Sequence, residues 1–326
     1  MLRTKIVSTG SYLPERILTN SELEKMVDTS DQWITERTGI KERRIASTDQ
    51  AVSDLALQAS KIAIVRAGLS ERDIELIIVA TITGDMPVPS SACILQDKLG
   101  AVNAAAFDIN AACSGFIYGL SIADAYIKSG VYKRILLVGA EVLSKFTNWK
   151  DRNTCVLFGD GAGAVILEGS TGEQGLYSVD IYSDGTMAGL LNLPGGGSKN
   201  PPSFESINND LHFLQMKGNE TFKVAVKTLE SLVLQTIEKN NIKASDIKLL
   251  IPHQANLRII SATASRLGMD MNKVMVNLNK CGNTSAASIP IALDEAVTIG
   301  RIEKDDYILL EAFGGGLTWA SALIRW

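Results

Sequence analysis

"AAAFDINAACSGFIYGLSIADAYIKSG", residues 104–130, decides the fold of this chain. A short apolar run, "AAAFDIN" (104–110), meets a long helical pattern across a turn of very small side chains. Short apolar runs without alternation suit strands covered on both faces. The helical pattern stops at Gly130, and glycine suits the left-handed end of a helix. A second stretch repeats the order: "KVMVNLN" (273–279) precedes "CGNTSAASIPIALDEAVTIG" (281–300), which closes on Gly300.

The repetition extends outward from both stretches. "ELIIVATI" (75–82) leads to a helical segment from Ser90 to Leu99, and "RILLVGAEVL" (134–143) and "GAGAVILE" (161–168) follow as strands. In the second half "IKLLIPHQAN" (247–256) leads into a helix, and "DYILLEAFGGG" (306–316) and "WASALIRW" (319–326) close the chain. The period is about half the chain, too long for a solenoid. The pattern predicts an α/β protein of two related halves, residues 1–170 and 171–326, with the seam at "EGSTGEQG" (168–175). The Gly/Pro-rich "PGGGSKNPPS" (194–203) reads as a surface loop.

Composition narrows the function. Hydrophobic residues make up 46% of 326, ample for a core, and 32 basic against 36 acidic residues give a net charge of −4. No overall positive field is available for nucleic acid. The longest apolar runs fall far short of the ~20 residues of a membrane-spanning helix, and no secretory signal is expected at the start. Cys93, Cys113, Cys155 and Cys281 are scattered without a CxxC pair, so they read as reduced thiols of a cytoplasmic protein. No His, Cys and carboxylate cluster has metal-ligand spacing, so no metal is expected.

In open α/β sheets, ligands bind beyond the carboxyl ends of strands. Three chemically capable residues occupy such ends. Cys113 lies among Ala111, Ala112, Ser114 and Gly115, which leave room for a second molecule at the sulfur. It reads either as a small apolar filler or as a nucleophile. The helix start beside it would lower the thiol pKa by about 1, and an imidazole would be the natural partner for a full thiolate. His253, in "IPHQANLR", follows a buried strand and a proline. His212 reads as structural. Asn283, in "CGNTSAAS", reads equally as a helix cap or as a neutral donor toward developing negative charge. The glycines of "FGDGAGA" (158–164) run into a strand and lack the lysine of a phosphate loop. Those of "FGGG" (313–316) let backbone approach a ligand.

These motifs are similar to a known family. "AFDINAACSGF", "IPHQANLRII", "GNTSAASIP", "FGDGAGA", "EAFGGGLTW" and "DTSDQWITERTGIKERR" (28–44) resemble β-ketoacyl-acyl-carrier-protein synthase III of the thiolase superfamily, which initiates type II fatty acid synthesis. The resemblance spans the chain from "GSYLPE" to the C-terminus. It implies a five-layered αβαβα thiolase fold and a homodimer. It also implies a decarboxylative condensation of an acyl-CoA, acetyl-CoA by default, with malonyl-acyl-carrier protein. Cys113 would carry the acyl group, and His253 and Asn283 would hold the malonyl thioester oxygen. The N–H groups of Cys113 and Gly315 would form the oxyanion hole. No cofactor is implied.

The resemblance further implies that Trp33 and Arg152 sandwich the adenine of CoA, that Arg37 reaches its phosphates, and that Gly218 and Asn256 line the pantetheine tunnel. Phe158, Leu190, Met216 and Phe222 would line the acyl pocket or tunnel, and Val88 would border the acyl pocket. Val88 stands where some members carry a bulky Phe that crosses the dimer interface and caps the acyl pocket; the smaller side chain hints at longer or branched primers, with Met86 as the alternative filler of the gap. Gln254, Ala255, Asn256, Leu257, Arg258, Arg266 and Lys223, with Lys227 four residues on, would meet the acidic carrier protein. Relatives in the superfamily differ at the site. Degradative thiolases carry a second cysteine where this chain has Phe313 to Gly316, and elongating synthases carry His at the place of Asn283. A thioester hydrolase with the same three residues, or a condensing enzyme of a specialised pathway, is the alternative.

Overall fold

A computed structural model describes residues 2–326 of the chain. Five strands build the first sheet: β1 (Arg3–Tyr12), β2 (Leu76–Ala80), β3 (Ala105–Ile109), β4 (Arg134–Val142) and β5 (Asp160–Ser170). Four build the second: β6 (Gly175–Ser183), β7 (Ile247–Pro252), β8 (Tyr307–Gly314) and β9 (Thr318–Arg325). The first sheet runs β3-β2-β4-β5-β1 and the second runs β7-β8-β9-β6. Directions match as well. β2 pairs parallel with β3 and β4, while β5 is antiparallel to β4 and β1. In the second sheet β7 and β8 are parallel, and β9 is antiparallel to β8 and β6. The chain passes from one sheet to the other between Ser170 and Gly175.

Helices complete the layers: α1 (Asp31–Thr38), α2 (Val52–Arg66), α3 (Ser91–Leu99), α4 (Gly115–Lys128), α5 (Gly218–Lys239), α6 (Leu257–Arg266) and α7 (Ser288–Thr298). The central layer is α4 and α7. Phe116, Leu120 and Ala123 of α4 and Ile289, Leu293 and Ala296 of α7 share one core with Leu76, Ile78, Leu137, Leu249, Ile251 and Leu310 from both sheets. Strand alternation sends Ile77, Val79, Leu136 and Val138 the other way, against Leu55, Ala59 and Ala63 of α2. On the outer face of the second sheet, Leu250 and Leu309 meet Val233 of α5 and Ile260 of α6. The order is therefore αβαβα. Gly139 makes the centre fit: a Cβ there would lie 2.3 Å from the Ala286 carbonyl oxygen ahead of α7.

One expected strand is missing. Residues 273–279 form no ladder; Val274 makes a single parallel bridge to Leu250 at the place that β3 occupies in the first sheet. The Met275 N–H still donates to the Leu250 carbonyl at 2.8 Å. Beyond that point the side chain of Gln254 takes the backbone groups a neighbouring strand would otherwise pair. Its Nε2 donates to the carbonyls of Pro252 (2.8 Å) and Met275 (3.0 Å), and its Oε1 accepts from the N–H groups of Asn277 (2.9 Å) and Leu278 (3.3 Å). No helix among the described residues is long and apolar enough to cross a membrane.

Candidate active site

Cys113, His253 and Asn283 line one cavity of about 440 Å³. Cys113 lies in a 3₁₀ turn (Ala112–Ser114) that feeds directly into α4, and Ala112 before it has φ 46°. Gly314 makes room for it: a Cβ at Gly314 would lie 2.7 Å from the Cys113 nitrogen. His253 follows β7, with its N–H donated to the Glu311 carbonyl of β8 at 2.8 Å. Asn283 is pinned on both sides by Leu157 and Gly159, through bonds of 2.9 and 3.0 Å. Its Oδ1 accepts the Ser285 N–H at 2.9 Å, which turns Nδ2 the other way as a donor.

The electrostatics depart from the sequence expectation. Burial pushes the Cys113 thiol up to about 11; the Ser285 hydroxyl, then the N–H groups of Cys113 and Gly315, pull it down without prevailing. The helix start therefore does not make a resting thiolate. Burial also pushes the His253 imidazole down to about 3, so it is neutral across the physiological range. The site at rest holds a thiol and a neutral imidazole. Buried Glu141, lifted to about 7 by desolvation, accepts from Thr81 Oγ1 (3.1 Å), Thr83 Oγ1 (2.5 Å) and the Ile82 N–H, and so fixes the wall at Ile82.

Cys113 borders two spaces. The cavity just described runs past Phe158, Met216, Gly218, Phe222, Asn256 and Arg258 to Trp33 and Arg37. A second, inner cavity of about 370 Å³ shares Cys113, Phe158 and Leu191 with the first and is further walled by Ile82, Leu143, Leu193, Leu214, Gly315 and Ser285. At the outer end Trp33 is flanked by two guanidiniums, Arg37 at 4.8 Å and Arg152 at 4.9 Å from the ring centroid. Ser30 caps α1 beneath it, accepting the Trp33 N–H at 3.1 Å. Asn256 caps α6, accepting the Arg258 N–H at 2.8 Å, and its Nδ2 reaches the Arg37 carbonyl at 3.1 Å.

Several expected positions move. The resemblance puts Val88 at an interface between subunits; within its own chain it is 82% exposed and borders neither cavity. Leu190 packs with Phe313 and Leu229, and its neighbour Leu191 faces the inner cavity instead. Met216 and Phe222 line the outer cavity, the tunnel side of the expectation. Gln254, expected at a partner surface, is buried as the strut described above. Leu257 is packed over Gly39, whose added Cβ would lie 2.6 Å from that of Leu257. Arg266 is exposed but engaged by Glu230. Lys223 and Lys227 border a separate groove with Tyr182 and Trp319. Ala255 lines the outer cavity, and Arg258 stands at its mouth, exposed, 5.3 Å from the Phe222 ring. Sequence reasoning missed Ser285, Leu191 and Ser288, whose Oγ lies 2.7 Å from His253 Nδ1. Ser288 opens α7, the one signal that could have drawn attention to it.

Two duplicated halves with a cysteine, a histidine and an asparagine on one cavity define a thiolase-type condensing acyltransferase. Family models described as 3-oxoacyl-[acyl-carrier-protein] synthase III match residues 107–185 and, for its C-terminal part, 237–326. The chain is 56% identical to a β-ketoacyl-[acyl-carrier-protein] synthase III of Caldanaerobacter subterraneus, over 98% of this chain and 97% of that one. It is 53% identical to that of Clostridioides difficile over 98% of both. The solved 3-oxoacyl-[acyl-carrier-protein] synthase III of Aquifex aeolicus superposes with a TM-score of 0.93 at 49% identity, covering 99% of this chain and 100% of that one. The chain belongs to the 3-oxoacyl-[acyl-carrier-protein] synthase III family.

Proposed function

We infer that the chain condenses an acyl-CoA with malonyl-acyl-carrier protein, giving 3-ketoacyl-carrier protein, CO2 and CoA. Family membership supports this, and one observation carries the assignment of roles: a cysteine, a neutral imidazole and a side-chain amide share one cavity wall. Cys113 attacks the acyl thioester, and the tetrahedral oxyanion sits against the N–H groups of Cys113 and Gly315. The thiol is protonated at rest, so its proton leaves with the CoA sulfur and the exchange is neutral overall. The acyl chain then occupies the apolar inner cavity. Malonyl thioester enters by the outer route. His253 and Asn283 donate to its oxygen and hold the enolate left when CO2 departs; the carbanion attacks acyl-Cys113, the acyl–sulfur bond breaks, and the released Cys113 thiolate takes a proton from water to regain the resting thiol. Neutral donors suit this step, because a carboxylate at either place would repel both malonate and enolate.

The outer cavity accounts for the rest of the substrate. Trp33 between Arg37 and Arg152 offers a base platform with cationic groups beside it for phosphates. Asn256 and Gly218 border the route of the pantetheine arm, and Arg258 is the first cation an acidic carrier protein meets. The protein acts as a cytoplasmic homodimer without a cofactor. Incubation with acetyl-CoA, followed by mass spectrometry of Cys113, and then addition of malonyl-acyl-carrier protein tests the reading. A transient acyl adduct replaced by condensed ketoacyl product supports it. Release of free acid alone makes the chain a hydrolase and overturns it.

A further inference from the structure

We propose that Ser288 decides which nitrogen of His253 carries the proton and thereby makes the imidazole a hydrogen-bond donor toward the cavity. Ser288 is the first residue of α7 and is 1% exposed. Its Oγ lies 2.7 Å from Nδ1 of His253 and 3.3 Å from the N–H of Gln254, which donates to it. A serine hydroxyl has one proton and two lone pairs. The Gln254 N–H takes one lone pair. If Nδ1 carried hydrogen it would take the other, and the buried hydroxyl proton would need a separate acceptor. Among the described residues Ser288 Oγ has no other partner. The arrangement that satisfies every group has the hydroxyl donating to a bare Nδ1, with the proton on Nε2.

The surroundings hold this arrangement still. The Gln254 backbone N–H cannot turn away, because its own side chain is fixed by four backbone groups. Burial keeps the ring neutral, so a second ring proton does not blur the choice. Nε2–H and the Asn283 Nδ2 group are then two donors on residues that line the same cavity. Such a pair fits a developing enolate oxygen and is ill suited to taking the proton of Cys113. Ser288 is therefore a positioning residue for the decarboxylating half of the reaction and is dispensable for loading the cysteine. The catalytic part of this inference rests on the proposed function; the tautomer does not.

Histidine-selective ¹⁵N labelling tests the tautomer directly, since the chain has only 2 histidines. The wild-type spectrum is expected to show His253 protonated at Nε2 alone, and Nδ1 protonation overturns the proposal. Ser288→Ala is expected to mix the tautomers and to slow condensation roughly tenfold or more, while acetylation of Cys113 from acetyl-CoA keeps the wild-type rate. Ser288→Thr, which retains the hydroxyl, is expected to restore both. An unchanged tautomer in Ser288→Ala, or equal loss in both half-reactions, also overturns the proposal. Should Ser288→Ala not fold, the wild-type spectrum still decides. Absence of any wild-type acylation would instead remove the proposed function and leave the tautomer result standing.

Discussion

Asn110 and Asn283 are the same residue in the two halves of the chain. Each stands five positions ahead of its central helix, α4 or α7. Each turns its Oδ1 onto the N–H two residues on, of Ala112 at 3.4 Å and of Ser285 at 2.9 Å. Those two residues have φ 46° and 47°, left-handed values unusual without glycine. In this register Cys113 corresponds to Ala286. One local turn thus serves two ends: the first half supplies a sulfur at its helix start, and the second supplies an amide just before its own.

The amide at Asn283 points a donor into the cavity. Asn283→Asp replaces that donor with an anion at the same size. Condensation is expected to fall roughly 100-fold or more, while acetylation of Cys113 persists. Separate assays of the two half-reactions check this, and parallel loss of both would contradict it.

The raised thiol pKa gives a pH signature. Cys113 titrates near 11, so its thiolate fraction grows about tenfold per pH unit below that value. Alkylation of Cys113 by iodoacetamide is expected to be still accelerating at about pH 9. A plateau below about pH 8 would show a resting thiolate instead.

His253 contributes no such inflection. With its pKa pushed down to about 3, the imidazole is neutral from mildly acid to alkaline pH. Condensation from pre-acylated enzyme is expected to be level in this group between about pH 5 and 8. A fall with midpoint near the ordinary histidine value would contradict the burial argument.

Gly314 holds the backbone against the nucleophile. Gly314→Ala brings a Cβ within 2.7 Å of the Cys113 nitrogen, so one of the two must shift and the oxyanion donors separate. Acylation is expected to drop roughly 100-fold or more, with circular dichroism of the folded protein unchanged.

The cations at the surface are unequal. Arg258 is exposed at the cavity mouth, whereas Arg266 is already engaged by Glu230. Arg258→Glu is expected to lower kcat/KM for malonyl-acyl-carrier protein about tenfold or more, with a weaker dependence on salt. Arg266→Ala is expected to change it by less than about twofold. Steady-state kinetics at two ionic strengths separate the cases.

The duplication and the strand ends bearing Cys113 and His253 were legible because burial and periodicity are written along the chain itself, whereas the five-layer order came from the family resemblance. "LIIVA" suits a strand covered on both faces, and "IPHQ" follows another. The strand expected at 273–279 was not legible, since its pairing is taken over by a side chain, Gln254, from elsewhere in sequence. Apolar pattern cannot register that substitution. The ionisation states were hidden for a related reason. The helix start beside Cys113 is visible in the sequence, but the desolvation that outweighs it comes from burial in the folded chain, where the backbone at Gly314 lies against Cys113. Leu190 and Leu191 differ by one residue in a short irregular segment, where no period assigns a side to either.

The sulfur at the wall between two cavities constrains the order of events. If both thioesters use the outer cavity that runs to Trp33, as the proposed function has it, only the acyl group is transferred beyond the sulfur. The first carrier must leave before the second can be admitted. Initial-rate plots should give parallel lines, and an excess of either thioester should block the entry of the other.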